Sequence, residues 1–344
     1  MRIPGTGRLR RTIRRFKSSN KPGGIILLYH RIAKASSDPW GLCVSPGHFS
    51  EHLEVLRKHY SIVSLQQLIE ALKAGDIRRR WVALTFDDGY ADNLYNAKPL
   101  LEFFEVPATF FLTTGSIGKE KEFWWDELEG IILQSGKLPD SLRLQLGDCT
   151  VSWELGEATQ LSEYDFHQHR VWKAWESPPS PRHALYYFLW RNLQKLPETQ
   201  QRKTLDELWL WAGRRSTNRQ SHRPLLKEEV VALAQGDLCE IGAHTVTHPV
   251  LSALPSAAQQ LEIWQSKAQL EEILGGTITK FAYPHGRSTE KTAALIRDAR
   301  FTCACSTVED MVRKNTNCFQ FPRIQVEDTD GDEFDRKVSR YFHL

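Results

Sequence analysis

At 344 residues, with 41% hydrophobic and 25% charged residues, the chain is large enough for one big α/β domain or two ordinary ones, and its composition is that of a soluble globular protein. Its net charge of +3 is spread unevenly: residues 1–21 carry eight Lys or Arg and no acid, and without those eight charges the remainder stands at −5. No basic stripe or nucleic-acid motif follows, so no nucleic-acid partner is expected.

The first segment, residues 1–24, reads as a basic N-terminal tail. A solvated end is the simplest account; peripheral contact of residues 1–21 with an anionic membrane surface is the alternative. Next comes "GIILLYH" (Gly24–His30), a strand-sized apolar run. It is too short for a membrane helix or for the core of a secretory signal, and no small-residue cleavage site follows it. The helix "PGHFSEHLEVLRKHY" has an apolar stripe at Phe49, Leu53 and Leu56. Its "HFSEH" fits the H-x-x-E-H zinc-peptidase pattern, but no third ligand is evident, and His48 and His52 read as a solvated helix flank.

Further strand-like runs are "SIVSL", "WVALTF", "ATFFLTT", "LCEIGAH", "ITKFAYP", "FTCACS" and "FQFPRIQV". Helical patterns follow most of them, including Ala91–Phe104 and Ser256–Leu274, the latter with Ser256 as N-cap and Gly275 just past its end. Near-continuous apolar strands alternating with helices predict a parallel sheet covered by helices, and seven to eight such strands predict a distorted (β/α) barrel. From about 116 to 224 the alternation stops. This Trp-rich stretch reads as a helical insertion in a single barrel domain spanning 25–344. Its tryptophans read chiefly as core filler, with "FWWDEL" (Phe123–Leu128) the best alternative for stacking on sugar rings. The six cysteines have neither C-x-x-C nor zinc-finger spacing and read as free thiols. With the missing export signal, they suggest a cytoplasmic protein, peripheral to the inner membrane face if the tail docks there.

In a parallel barrel, chemistry sits at the C-terminal ends of strands. Asp87 and Asp88 end one predicted strand, His244 ends another with His248 four residues on, and His30 ends the first. Adjacent carboxylates do not both ionise cheaply without a cation. One Asp with two His makes a three-ligand site with open positions, the pattern of catalytic zinc or iron; four-residue spacing, about one helical turn, lets both imidazoles face one point. The second Asp is then free to act as a base, and Gly89 lets the backbone turn.

"TFDDGY" (Thr85–Tyr90) and "HTVTH" (His244–His248) resemble the first two motifs of the polysaccharide deacetylases, a carbohydrate-esterase family. "FAYPHG" (Phe281–Gly286) resembles their third motif, F-x-x-P-x-G, and "LLYHRI" (Leu27–Ile32) the entry strand of an exopolysaccharide-associated subgroup. The resemblance implies a distorted (β/α) barrel that removes N-acetyl groups from an N-acetylhexosamine-containing glycan. It implies Asp87 as general base, and Asp88, His244 and His248 as ligands of a divalent metal, expected to be Zn²⁺. Tyr283 and Pro284, with a backbone N–H near Tyr283 for the oxyanion, and Trp125 are the expected substrate contacts. The sequence departs from the family pattern twice. Ala282 stands where an Arg usually orients the base, and Arg323 is the candidate replacement. The late L-x-H motif of the general acid is not clearly present; His30 and His285 are candidates, and His343 at the extreme C-terminus is a poor one. A silent glycan-binding scaffold, or a hydrolase of another non-peptide C–N bond, are the alternative readings.

Overall fold

The computed structural model describes residues 23–147, 149–215 and 218–342. The basic tail at 1–21 and His343 lie outside these residues.

All eight expected runs contain strands: β1 (Gly24–Tyr29), β2 (Ser61–Ile62), β3 (Trp81–Phe86), β4 (Ala108–Leu112), β5 (Cys239–Ala243), β6 (Lys280–Ala282), β7 (Cys303–Cys305) and β8 (Ile324–Gln325). They form one sheet in the order β7-β6-β5-β4-β3-β1-β8, with β2 paired to the start of β3. Every pairing in it is parallel. β1, β4 and β7 are buried along their whole length, which is why they read as unbroken apolar runs. Beyond β7, Cys305 bridges Phe321 in parallel, while Ile324 pairs with Leu27 of β1. The short run Phe321–Gln325 therefore spans both edges of the sheet and closes it into the expected distorted (β/α) barrel.

Alternate strand residues separate into two cores, as a period of two requires. One holds Ile25, Leu27, Leu84, Phe110 and Ile241 against helix residues Phe49, Leu53, Ile263 and Leu270. The other holds Ile26, Ala83, Phe111, Ala282, Cys303, Cys305 and Phe321, with Leu65 and Leu68 of the helix Leu65–Ala74. The six cysteines are free. No helix among the described residues is long and apolar enough to cross a membrane.

Local details differ from expectation. The stretch Ala91–Phe104 opens with a π-turn, Asn93–Ala97, and becomes α-helical only at Lys98–Phe103, where Pro99 sits in the first turn and needs no N–H partner. The helix Ser256–Leu274 is capped by Pro255, so Ser256 is its first residue; Gly275 ends it at φ 68°, as anticipated. His52 is not solvated: it is fully buried, stacked on Phe334, with Nε2 against the Thr329 carbonyl at 2.8 Å. His48 instead pairs with Asp328 at the surface. "HFSEH" is thus a structural seam.

Between 116 and 224 the helices Trp124–Ile132, Glu163–His169, Pro181–Leu193 and Glu198–Trp211 are joined by an antiparallel hairpin, Ser141–Leu146 with Cys149–Glu154. The stretch read as a helical insertion thus also holds strands, the first of which alternates exposed and buried residues beside a glycine turn. The stretch has its own core around Leu128, Ile132, Leu185, Leu189, Leu205 and Trp209. Trp172 and Trp209 are buried there as filler, whereas Trp175 is exposed.

Candidate active site

The site lies at the C-terminal rim of the barrel. Parallel register aligns Phe86 with Phe110, Leu112 with Ala243, and Ala243 with Phe281, so the residues just beyond these strands meet. Asp87 and Asp88 follow β3, and His244 follows β5. Left-handed backbone then shapes the loops: Asp88 has φ 75°, Thr245 φ 67°, His248 φ 57° and His285 φ 56°. Such values are rare for residues with a Cβ and are found where function fixes a conformation. Gly89, at φ 89°, packs so closely that an added Cβ would lie 2.9 Å from Leu112.

His244 and His248 do converge, but not by a helical turn. "HTVTH" is an irregular loop, and the left-handed Thr245 and His248 bring the second ring round. Glu262 fastens the loop by accepting the Val246 and Thr247 N–H groups at 2.8 and 2.9 Å. His244 Nε2 lies 3.6 Å and His248 Nε2 3.3 Å from Asp88 Oδ1. Donors bound at about 2.0–2.1 Å to a tetrahedral cation stand roughly 3.3 Å apart, which these separations match. Asp88 Oδ1 is buried and has no hydrogen-bond partner. His244 Nδ1 donates to the Ala282 carbonyl at 2.8 Å, leaving the Nε2 lone pair aimed at Asp88. Burial, then the neighbouring His248, push His244 down to about 4, so its ring is neutral and ready to ligate. Asp88 is held well below the usual carboxylate range: burial opposes this, but His248, His30 and His244 outweigh it. Asp88, His244 and His248 thus form a group able to hold a divalent metal.

Asp87 points elsewhere. Arg323, just before β8, grips it in a two-point pair, Nη1 to Oδ1 and Nη2 to Oδ2, each 2.7 Å. Arg323 is fully buried and is itself fixed by Nε donating to the Ser306 carbonyl at 2.9 Å. Burial would raise Asp87, but Arg323 and then His244 bring it below its ordinary value. Asp87 Oδ2 remains 3.8 Å from His244 Nε2, beside the ligand cluster.

His30, just past β1, is half-buried; Asn93 Nδ2 donates to its carbonyl at 2.8 Å, and it lies near enough to be among the groups that lower Asp87 and Asp88. Trp125 packs on His248 at 4.8 Å between ring centroids and is buried, not an open platform. Its Nε1 donates to Tyr90 Oη at 2.7 Å, and Tyr90 donates to Asp126 at 2.7 Å. Tyr283 does not face the site. Its ring is fully buried in the core, its hydroxyl donates to the Phe319 carbonyl, and its N–H donates to the Cys305 carbonyl at 3.0 Å. Neither its side chain nor that N–H is open to a substrate, and Pro284 is buried beside it.

Sequence reasoning missed the cleft that runs out from His248. It encloses about 500 Å³ between Phe123, Trp124 and Trp125 on one side and Lys119, Glu198 and Arg202 on the other. Two of its basic residues are matched, Lys119 to Glu198 and Arg202 to Glu127, and Lys121 also lines it. Only the tertiary packing of Glu198–Trp211 against Trp124–Ile132 creates this space, so no local pattern announces it.

The chain is thus a distorted parallel (β/α) barrel with a group able to hold a metal at the C-terminal rim. The polysaccharide deacetylase family model matches residues 74–140 and 190–304, more than half of the chain, and the chain belongs to that family. Its relatives include the Bacillus subtilis (strain 168) protein YxkH, 27% identical over 159 residues, 44% of this chain and 55% of that one. They also include the poly-beta-1,6-N-acetyl-D-glucosamine N-deacetylase of Staphylococcus aureus, 29% identical over 109 residues, 28% of this chain and 38% of that one. The chain thus spans about half or less of the length of these curated relatives. Among solved structures, the Streptococcus pyogenes deacetylase PplD superposes with a TM-score of 0.53 at 18% identity, over 92% of this chain and 99% of that one. IcaB from Ammonifex degensii gives 0.55 at 18% identity, over 93% and 97%. At that identity they share the fold.

Proposed function

We propose that the protein is a metal-dependent hydrolase that removes N-acetyl groups from an N-acetylhexosamine-containing glycan or glycan intermediate. One observation carries the reading: an ionised carboxylate, Asp87, is clamped by Arg323 immediately beside a cluster, Asp88–His244–His248, that suits a divalent metal.

Asp88 Oδ1, His244 Nε2 and His248 Nε2 would hold the metal, with Zn²⁺ suited to this two-nitrogen, one-oxygen set. Bound there, it would polarise the acetyl carbonyl and lower the pKa of a bound water. Asp87 is the base that takes the proton of the attacking water, and its low pKa keeps it ionised at neutral pH. Arg323 orients Asp87 without blocking the edge that faces His244. His30 returns a proton to the leaving amine; it is the half-open histidine at this rim whose field reaches both aspartates. Trp125 fixes the His248 ring, and the Trp124-lined cleft receives the sugar. A cytoplasmic setting, with residues 1–21 resting on an anionic membrane surface, is the accompanying proposal; deletion of that tail should then reduce co-sedimentation with anionic vesicles.

The test is acetate release from N-acetylglucosamine oligomers by the zinc-loaded protein, with Asp87→Asn as control. Release by the wild type and loss in the variant are expected. Equal release by both would remove Asp87 from the role of base, and none from any N-acetylated sugar would remove the activity.

A further inference from the structure

A histidine that ligates through Nε2 keeps a proton on Nδ1, and that N–H needs an acceptor. His244 has one in the Ala282 carbonyl. His248 has none: its Nδ1 is buried and without a partner. The adjoining ring is His285, 4.8 Å away between centroids at an interplanar angle of 67°, and its Nε2 is also buried and without a partner. Eight buried side-chain N or O atoms lack partners among the described residues, and these two sit on touching rings beside a third, Asp88 Oδ1. A donor that must be satisfied and an acceptor that is not are thus neighbours.

The backbone around His285 is specialised for holding it there. His285 adopts φ 56°, ψ 10° within the turn Pro284–Gly286. A Cβ on Gly286 would come within 2.0 Å of Thr307 Oγ1, so the turn has no slack on that side. Left-handed backbone at a residue with a ring is costly, and here it serves to set one imidazole against another.

We propose that His285 is the positioning residue of the metal ligand His248, accepting its Nδ1–H at Nε2 directly or through one bridging water. It does for His248 what the Ala282 carbonyl does for His244, and its own proton then resides on Nδ1. The inference rests on the reading that Asp88, His244 and His248 bind a metal. Trp125, on the same His248 ring, supplies packing but accepts no hydrogen bond from Nδ1.

Zinc affinity decides it, measured on the full chain by competition with a chromogenic chelator for wild type, His285→Phe and His285→Gln. Phenylalanine keeps the ring contacts but loses the acceptor, so a 10–100-fold weaker zinc affinity is expected. Glutamine, which retains an acceptor, should recover part of the loss. Wild-type zinc affinity in His285→Phe overturns the proposal; so does lost activity at unchanged affinity, which would mark His285 as a proton donor. Should His285→Phe not fold, imidazole ¹⁵N spectra of the zinc-loaded wild type replace it. A protected His248 Nδ1–H with the His285 proton on Nδ1 supports the inference, and a proton on His285 Nε2 overturns it. A wild-type chain that binds no zinc overturns the metal reading, and the inference with it. Tight binding unchanged by His285→Phe overturns the inference alone.

Discussion

Arg323 and Asp87 meet inside the barrel as a matched pair, both guanidinium Nη atoms on both carboxylate oxygens at 2.7 Å. The two are 236 positions apart in the chain. Two parallel charge-assisted bonds fix a carboxylate's plane as well as its charge, which a single lysine contact does not do. The free edge of Asp87 is thereby held toward the ligand cluster.

Arg323→Ala should lower kcat by roughly 10²–10⁴-fold, the range that a positioned base contributes. Arg323 holds Asp87 below its ordinary pKa, so its loss lets burial raise that pKa, and the acid limb of the pH–rate profile moves to higher pH. Arg323→Lys should fall between. The alanine variant also leaves Asp87 buried and unpaired, a loss of about 3–5 kcal/mol readable by denaturant titration. An unmoved acid limb at full kcat would refute the assignment.

His30→Ala should leave zinc affinity near wild type and cut kcat/KM by roughly 10²-fold, with the alkaline limb of the profile flattened, as for a lost general acid. A profile of unchanged shape would place the proton donor elsewhere.

Removal of the metal by a chelator should abolish activity and lower the melting temperature. Restoring zinc at about 100 times its dissociation constant should return roughly 2.7 kcal/mol of stability. Asp88→Ala should show neither the metal-dependent activity nor the metal-dependent rise in Tm. Metal-independent turnover would exclude the proposed chemistry.

Asp126 gives a test independent of catalysis. Burial pushes its carboxyl up to about 7 from an ordinary 3.8, against the pull of Arg31 and the Tyr90 hydroxyl. Between pH 4 and 7 the folded protein therefore keeps a proton that the unfolded chain has released. Stability declines as pH rises through that window, with a slope of about 1.4 kcal/mol per pH unit. Asp126→Asn removes this dependence. It should be more stable than wild type at pH 8 and nearly equal to it at pH 4, as followed by thermal melts at the two pH values.

The barrel strands were legible because buried parallel strands must be apolar on both faces, and "GIILLYH" and "WVALTF" are. The pair Asp87–Asp88 stood out because charge at the end of such a run demands a reason. The relation of His244 to His248 was right in outcome but wrong in cause: spacing of four suggested a helical turn, whereas left-handed Thr245 and His248 do the bending. Tyr283 was misplaced because a motif carries no side-chain direction; the parallel bond to Cys305 fixes its N–H, and its ring lies among the core residues. The cleft beside Trp124 depends on packing between distant segments, which no local pattern encodes, whereas the hairpin Ser141–Glu154 is local and its first strand alternates buried and exposed residues.

The closing run Phe321–Gln325 joins two tasks that are usually separable. It bridges Cys305 on one side, pairs with β1 on the other, and carries Arg323 between them. The family match ends at residue 304, so the segment that completes the barrel and grips Asp87 lies wholly outside it. A chain cut after 304 would retain every matched motif and still lack both its last staves and the counter-charge of Asp87. Closing the sheet and giving Asp87 its counter-charge therefore depend on one and the same five-residue run.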